Sequence, residues 1–167
     1  LTSGAALSTL SDSWLSFNAG SRTFSGTPLN GAVGTASVRV TCTDGSSAAV
    51  TDDFDIVVSN TNDAPTSAAV TVASTEDTLK TFAASNFAFT DVDSGSSISR
   101  IQITILESTG DLECNNKNGG SNGWEDCVAN DYVAAGTDLR LTPDSNSVAD
   151  VTFSFKVYDG TAYSAAA

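Results

Sequence analysis

The sequence contains no histidine and no methionine, and only seven Lys or Arg residues stand against 20 Asp or Glu. Without histidine, Ser-His triads, histidine acid–base catalysis and the usual zinc sites are excluded. The scarcity of basic residues and the net charge of −13 argue against nucleic acids and anionic membrane surfaces as partners. No stretch is apolar enough for a transmembrane helix. Because methionine is absent, we expect a segment of a longer protein.

Cysteine is also rare, with three residues in the chain. Cys114 and Cys127 flank a polar loop rich in Gly and Asn, a pattern that favours a hairpin closed by a disulfide in an oxidising compartment. Two free thiols in a reducing compartment are the alternative. Cys42 shares the apolar face of its predicted strand with Val38 and Val40, so we expect it to be a small buried core residue.

Five positions of that strand recur further along the chain, each displaced by the same 115 residues, as from Asp44 to Asp159. The recurring residues are Val38, Val40, Cys42, Asp44 and Gly45, which correspond to Phe153, Phe155, Val157, Asp159 and Gly160. Each copy alternates apolar and polar positions and ends in an Asp-Gly turn, as a β-strand does. A period of this size indicates tandem domains.

Short runs of β-branched and aromatic residues, separated by turn residues, predict an all-β fold of antiparallel sandwiches. Predicted strands of the second domain include Ala69–Ala73, Ile98–Leu106 and Val151–Tyr158. For Trp14, packing between two sheets is favoured over stacking on a sugar. For Trp124, which lies in the polar loop, core packing and exposed contact both stay open.

Several motifs resemble known families. The first part of the chain resembles dystroglycan-type cadherin-like domains. The segments that carry this resemblance are Ser13–Phe17, Arg22–Pro28, Val33-Gly34, Thr43–Gly45 and Asn62–Pro65. The later motifs Glu76–Thr78, Phe89–Asp93 and Val157–Gly160 are similar to tandem cadherin-like repeats, with the cysteine-bounded loop as an insertion.

The resemblance implies tandem antiparallel Greek-key β-sandwiches of the immunoglobulin/cadherin-like type. The first domain would span residues 1–60 and be N-terminally incomplete. If both domains have the length of the repeat period, about fifty residues of the first domain would precede this sequence. A calcium-binding linker would span residues 61–65. The second domain would span residues 66–167 and lack its last strand.

The same resemblance implies calcium (Ca2+) at the joint between the domains. The implied ligands are Asn60, Asn62, Asp63, Asp91, Asp93 and Asp159, while Glu76 and Asp44 would serve neighbouring joints. Asn60 stands where cadherins usually have Asp, and one linker residue is absent, which implies fewer ions or weaker binding than in a full cadherin joint.

Calcium chemistry agrees with this set, because calcium takes six to eight oxygen ligands and relieves the repulsion between crowded carboxylates. Alternation along an extended segment places Asp91 and Asp93 on one face. Simpler interpretations exist. Asp44 and Asp159 precede glycine and could be turn residues, the segment 91–95 could be a polar loop, and the acidic composition could reflect a solvated surface.

The leading functional hypothesis is a structural or adhesive repeat of a large extracellular or cell-surface protein, stiffened by calcium. Its partners would be neighbouring repeats of the same chain, with like chains in a filament or surface glycans as further candidates, and neither nucleic acid nor direct membrane contact is expected. The alternative is a carbohydrate-binding module, with Trp124 as the candidate sugar contact, supported by Trp14, Tyr132 and the loop 115–122. The pair Glu125-Asp126 has no cleft-forming motif around it, so enzymatic activity is not expected.

Overall fold

The computed structural model describes residues 2–4, 14–121 and 123–167, and the chain divides into two compact units, Leu1–Thr61 and Asn62–Ala167. The predicted all-β class is confirmed. The described helices are three 3-10 turns of three residues each, at Asn30–Ala32, Ala84–Asn86 and Lys117–Gly119. None of the described helices is long and apolar enough to cross a membrane.

The first unit contains a three-stranded antiparallel sheet in the order β1-β4-β5 and a separate hairpin, β2–β3. Its strands are β1 (Thr2–Gly4), β2 (Leu15–Asn18), β3 (Thr23–Gly26), β4 (Gly34–Thr43) and β5 (Ala49–Val58). The ring of Phe24 lies 4.6 Å from that of Phe17 and 5.6 Å from that of Phe54, so β3 packs against β5. Gly26 is required in β3, because a Cβ there would lie 1.9 Å from the carbonyl oxygen of Trp14.

The prediction that Cys42 is a buried core residue is wrong. Ala36 and Val38 on the same face of β4 are buried, but Cys42 near the end of the strand is exposed. It pairs across the sheet with Val50, which is itself 68% exposed. Alternation along the strand therefore does not by itself bury Cys42, because burial also needs side chains packed over that end of the sheet.

Trp14 also differs from the favoured interpretation. It immediately precedes β2 and is half-buried, whereas its neighbour Leu15 takes the buried position.

The second unit has two antiparallel sheets, β10-β7-β12 and β6-β11-β8-β9. The strands are β6 (Lys80–Phe82), β7 (Arg100–Ile105), β8 (Asp111–Asn115), β9 (Trp124–Asp126), β10 (Tyr132–Ala134), β11 (Leu139–Thr142) and β12 (Ser154–Tyr158). Alternate residues of both sheets meet in one apolar core. Its members include Ile101, Ile103, Val133, Phe155 and Val157 from the first sheet, and Phe82, Leu112, Leu139 and Leu141 from the second.

The last residues of the chain form backbone hydrogen bonds with the edge of β12 that faces away from β7. Backbone hydrogen bonds join Ser164 N to Val157 O at 2.9 Å, and the backbones of Phe155 and Ala167 in both directions at 3.1 and 2.9 Å. The sheet therefore continues past β12, which becomes an internal strand.

The predicted disulfide between Cys114 and Cys127 is present, with Cα atoms 5.2 Å apart. Both cysteines are buried in the core, so the bond joins β8 to the residue that follows β9. The loop between them is anchored by Asp131, which is 4% exposed and accepts hydrogen bonds from Val128 N and Asn118 Nδ2. Lys117 Nζ lies 3.5 Å from the same carboxylate. The loop between the two cysteines is thus held against the body of the second unit.

Candidate metal centre at the start of the second unit

Backbone pairing fixes the first residues of the second unit beside a polar loop. Thr66 and Thr90 exchange backbone hydrogen bonds of 2.7 and 3.0 Å, and Ser67 Oγ donates to Ala88 O at 2.7 Å. Pro65 is buried. The segment before Thr66 is therefore brought next to the loop that follows Thr90, where two of the predicted ligands lie.

The end of β12 reaches the same region. Ser99 N donates to Tyr158 O at 2.7 Å, so Asp159 follows β12 where the polar loop leads into β7. Three segments distant in sequence, around Asn62, Asp91 and Asp159, are thereby brought together within one unit.

Five residues from these segments form a continuous hydrogen-bonded network, which we call the linker cluster: Asn62, Asp63, Asp91, Asp93 and Asp159. Asp63 takes part through its backbone N and O, and the other four through their side chains. Asn62 Nδ2 donates to Asp63 O at 2.8 Å and to Asp159 Oδ2 at 3.1 Å. Asp63 N donates to Asp93 Oδ2 at 2.8 Å. Asp93 N in turn donates to Asp91 Oδ1 at 2.8 Å. The predicted ligands of the second unit are thus neighbours.

The two aspartates of the polar loop are withdrawn from solvent. Asp93 is 8% exposed. Oδ2 of Asp91 is buried and accepts no hydrogen bond from the described residues. A buried acceptor without a partner costs about 1–3 kcal/mol, and more when it is charged. This oxygen is therefore the point of the cluster where a positive or hydrogen-bonding group would stabilise the fold most.

Asp159 has a more complete set of partners. Its Oδ1 accepts hydrogen bonds from Thr161 N at 2.6 Å and Ala162 N at 2.7 Å, and its Oδ2 accepts one from Asn62. Burial raises the pKa of Asp159, but these backbone and amide donors favour the ionised form and hold the pKa below its usual value. The carboxylate is thus charged under ordinary conditions.

The remaining predicted ligands lie elsewhere. Asn60 belongs to the first unit and is exposed. Glu76 is exposed in a turn. Asp44 Oδ1 accepts from Ser46 N at 2.8 Å and from Ala48 N at 2.9 Å, the turn role that its position before glycine allowed. Within the described residues, no three Cys, Asp or Glu side chains converge as a ready-made metal site. The linker cluster is joined through backbone and amide groups instead.

Asp77, which sequence analysis did not single out, has a defined structural role. Its Oδ1 accepts hydrogen bonds from Ser145 Oγ at 3.2 Å and from Asn146 N at 3.0 Å. The two partners are more than sixty positions away in the chain. No local pattern could have indicated this contact.

The candidate sugar contact, Trp124, is a surface residue engaged by its own sheet. The guanidinium carbon of Arg140 lies 4.2 Å from the centre of the indole ring. Arg140 also makes two hydrogen bonds to Glu113, of 2.6 and 2.9 Å. These bonds to Arg140 lower the pKa of Glu113 despite its partial burial. One face of the indole is thus covered by a side chain that is itself held in place.

Comparison with known proteins supports the fold of the first unit. Residues 4–59, a third of the chain, match a family model described as "Putative Ig domain". No curated protein matches the sequence. The match supports an Ig-like fold, whereas the finer resemblance to dystroglycan-type and cadherin-like domains stays a prediction. The match lies within the first unit, and the second, disulfide-bonded unit lies outside it.

Proposed function

We propose that this chain is a structural, adhesive repeat segment of a large extracellular or cell-surface protein, and that calcium bound at the linker cluster stiffens the joint between its domains. An Ig-like domain is typical of repeat segments in surface proteins. The buried disulfide agrees with an oxidising, extracellular setting.

The observation that carries the calcium proposal is the buried Oδ2 of Asp91, which accepts no hydrogen bond from the described residues. A carboxylate oxygen in that position is strongly stabilised by a cation. The carboxylates of Asp93 and Asp159 belong to the same network. We expect the carboxylates of Asp93 and Asp159 to turn towards a cation bound at this oxygen, because a doubly charged ion offsets the repulsion between them.

The chemistry of the donors selects the kind of cation. The linker cluster offers carboxylate, amide and backbone oxygens, with neither sulfur nor imidazole, which is the set that calcium prefers. We propose Asn62, Asp63, Asp91, Asp93 and Asp159 as the residues that hold the ion. Asn60, two positions before Asn62, is proposed as the ligand supplied by the preceding domain.

Stiffening follows from where these ligands lie in the chain. Asn62 and Asp63 belong to the connecting segment, while the loop aspartates and Asp159 belong to the body of the second unit. An ion that binds all of them joins the connecting segment to that body. Without the ion, repulsion between the carboxylates, about 1 kcal/mol per pair at 4 Å in water and several times more where partly buried, favours opening.

Thermal unfolding with and without calcium tests this proposal. Calcium at about one hundred times its dissociation constant should add about 2.7 kcal/mol to the stability of the folded protein. For a unit of this size, that corresponds to a rise in Tm of roughly 10 °C or more. Magnesium should have a smaller effect, because it demands stricter octahedral geometry. Small-angle scattering should show less interdomain motion with calcium than with chelator.

Asp91→Asn removes the charge at the key position with little change of shape, and it should abolish most of the calcium response. Asp150→Asn, at an exposed position of the same unit, is the matched control and should respond as the wild type does. In chelator, Asp91→Asn should be at least as stable as the wild type, because a repulsive charge is gone. A Tm that calcium leaves unchanged, or an equal loss of response in both variants, would reject the calcium site.

A further inference from the structure

The outer face of the β10-β7-β12 sheet carries a row of aromatic and guanidinium groups, which we call the tyrosine ribbon: Tyr132, Arg100, Tyr158 and Tyr163. The guanidinium carbon of Arg100 lies 4.7 Å from the centre of the Tyr132 ring and 5.2 Å from that of Tyr158. The rings of Tyr158 and Tyr163 are 4.5 Å apart. The chain has three tyrosines, and all three lie in this row.

Two more polar side chains flank the ribbon. In the cross-strand register, Gln102 lies between Tyr132 and Lys156, two residues along β7 from Arg100, which pairs with Tyr158. These positions alternate with the buried residues of β7 and β12, so they share the outer face of the sheet. Diagonal neighbours on one face of a sheet are about 7–8 Å apart, within reach of long side chains. Arg100 and Lys156 can therefore approach the same ligand.

Two basic side chains, Arg100 and Lys156, lie on this face of the sheet. Three other cations, Arg39, Lys117 and Arg140, each form an ion pair with a carboxylate. Arg100 and Lys156 make no ion pair within the described residues, although acidic residues outnumber basic ones almost three to one. Arg22 and Lys80 likewise form no ion pair within the described residues, but only Arg100 and Lys156 lie on one face of a sheet as diagonal neighbours. Both can therefore meet one negatively charged ligand.

We propose that this face binds an acidic polysaccharide, one whose sugar rings carry carboxylates. Arginine binds a carboxylate through two parallel hydrogen bonds, and Lys156 adds a second charge. Tyrosine rings offer apolar surface to the C–H face of a sugar, while their hydroxyls and the Gln102 amide can bond its hydroxyls. Only two cations and a net charge of −13 make nucleic acid, which needs a run of phosphate contacts, a poorer fit.

The tyrosine ribbon shares no residue with the linker cluster, so the proposal of a sugar site and the proposal of a calcium site can fail separately. The test uses the whole chain in native gels that contain polygalacturonate, and in parallel gels that contain its methyl ester, which keeps the sugar backbone but lacks the charge. Chelator is present throughout, so that calcium bound by the polymer or the protein does not contribute. The wild-type protein should be retarded by polygalacturonate and not by the ester.

Arg100→Gln and Lys156→Gln should each weaken binding about tenfold or more, the effect expected for loss of a charge-assisted bond. Lys80→Gln, which removes one charge from the opposite sheet of the same unit, is the matched control and should stay within about twofold of the wild type. Unchanged Tm values show that the variants are folded. If Arg100→Gln is unstable because it loses its aromatic contacts, Lys156→Gln decides, since among the described residues no aromatic ring forms a cation–π contact with Lys156.

Three outcomes would overturn the proposal. The first is a wild-type protein that polygalacturonate does not retard. The second is an equal loss of binding in Lys80→Gln, which would mean that only net charge matters. The third is equal retardation by the methyl ester, or stronger binding to a single-stranded oligonucleotide, either of which would mean that carboxylated sugar is not what the face recognises.

Discussion

The two copies of the repeated strand both end in an Asp whose side chain accepts backbone hydrogen bonds within a turn, but the turns differ in length and the strands differ in their surroundings. Asp44 Oδ1 accepts hydrogen bonds from the backbone of Ser46 and Ala48, and Asp159 Oδ1 accepts them from Thr161 and Ala162. The strands that lead into these turns are unequally buried. In β12, Phe155 and Val157 are 4% and 0% exposed, whereas in β4, Val40 is half-buried and Cys42 is exposed.

The difference arises from what lies opposite each strand. The inner face of β12 packs against a core that the four-stranded sheet β6-β11-β8-β9 completes. In the described part of the first unit, the three-stranded sheet is accompanied by the β2–β3 hairpin alone. A repeated pattern of about eight residues therefore determines a turn and the orientation of a strand. Burial depends on distant elements that the pattern does not contain.

The largest expected contrast between the units concerns the disulfide, which the second unit has and the described part of the first does not. The double variant Cys114→Ala/Cys127→Ala should destabilise the second unit by about 3 kcal/mol, the value for a loop of this length. Each unit contains one tryptophan, Trp14 or Trp124, so Trp→Phe variants assign the unfolding transitions seen by fluorescence in denaturant.

Cys42→Ala is the control for that experiment and should leave both transitions in place, because its thiol is free and exposed. Thiol titration of the unfolded, unreduced protein should find one reactive group. Three reactive groups, or a double variant as stable as the wild type, would contradict a stabilising bond between Cys114 and Cys127.

A smaller contrast is expected at the equivalent positions Val157 and Cys42 of the two copies. Val157→Ala should destabilise the second unit by about 2 kcal/mol, because it empties a fully buried site. Cys42→Ala should change the stability of the first unit by less than about 0.5 kcal/mol, as surface substitutions do. Chemical denaturation measures both. Equal losses would mean that the two strands have equally complete cores.

Patterns that a strand carries in its own sequence were predicted well. The all-β class, a strand within Ile98–Leu106 and the disulfide are confirmed. Of the three alternating isoleucines of that strand, Ile101 and Ile103 are buried, whereas Ile105 is exposed. Ala69–Ala73, by contrast, was predicted as a strand and forms none, and the nearby pairing is the single bridge from Thr66 to Thr90. The β-branched residues Val70, Thr71 and Val72 give that segment β propensity, but pairing depends on a partner strand elsewhere in the chain.

The candidate site shows the same limit. That Asn62, Asp63, Asp91, Asp93 and Asp159 would be neighbours could be expected from the resemblance, and they are joined in one network. The buried oxygen of Asp91 could not be foreseen, because it results from packing of the loop. The tyrosine ribbon was missed as well, since Arg100, Tyr132 and Tyr158 meet only through cross-strand register.

The smallest contrast concerns the two turn aspartates. Asp159 accepts a third hydrogen bond, from Asn62, which belongs to the segment that opens its unit. Asp159→Asn should therefore weaken the second unit by about 1 kcal/mol at neutral pH in chelator. Asp44→Asn is the matched substitution, and it should leave the transition of the second unit unchanged, since Asp44 lies in the first unit.

The same pair of variants tests the acid dependence of stability. The pKa of Asp159 is lowered in the folded state, so between that value and the usual 3.8 the unfolded chain binds more protons than the folded one. The contribution of Asp159 to stability is therefore complete above the unfolded pKa and is lost as the pH falls through the folded pKa.

Denaturation measured at a series of acidic pH values should show a shallower loss of stability in Asp159→Asn than in the wild type, and an unaltered loss for the second unit in Asp44→Asn. Parallel curves for Asp159→Asn and the wild type would mean that the bonds from Asn62, Thr161 and Ala162 do not favour the charged carboxylate, and that the two turns differ in burial alone.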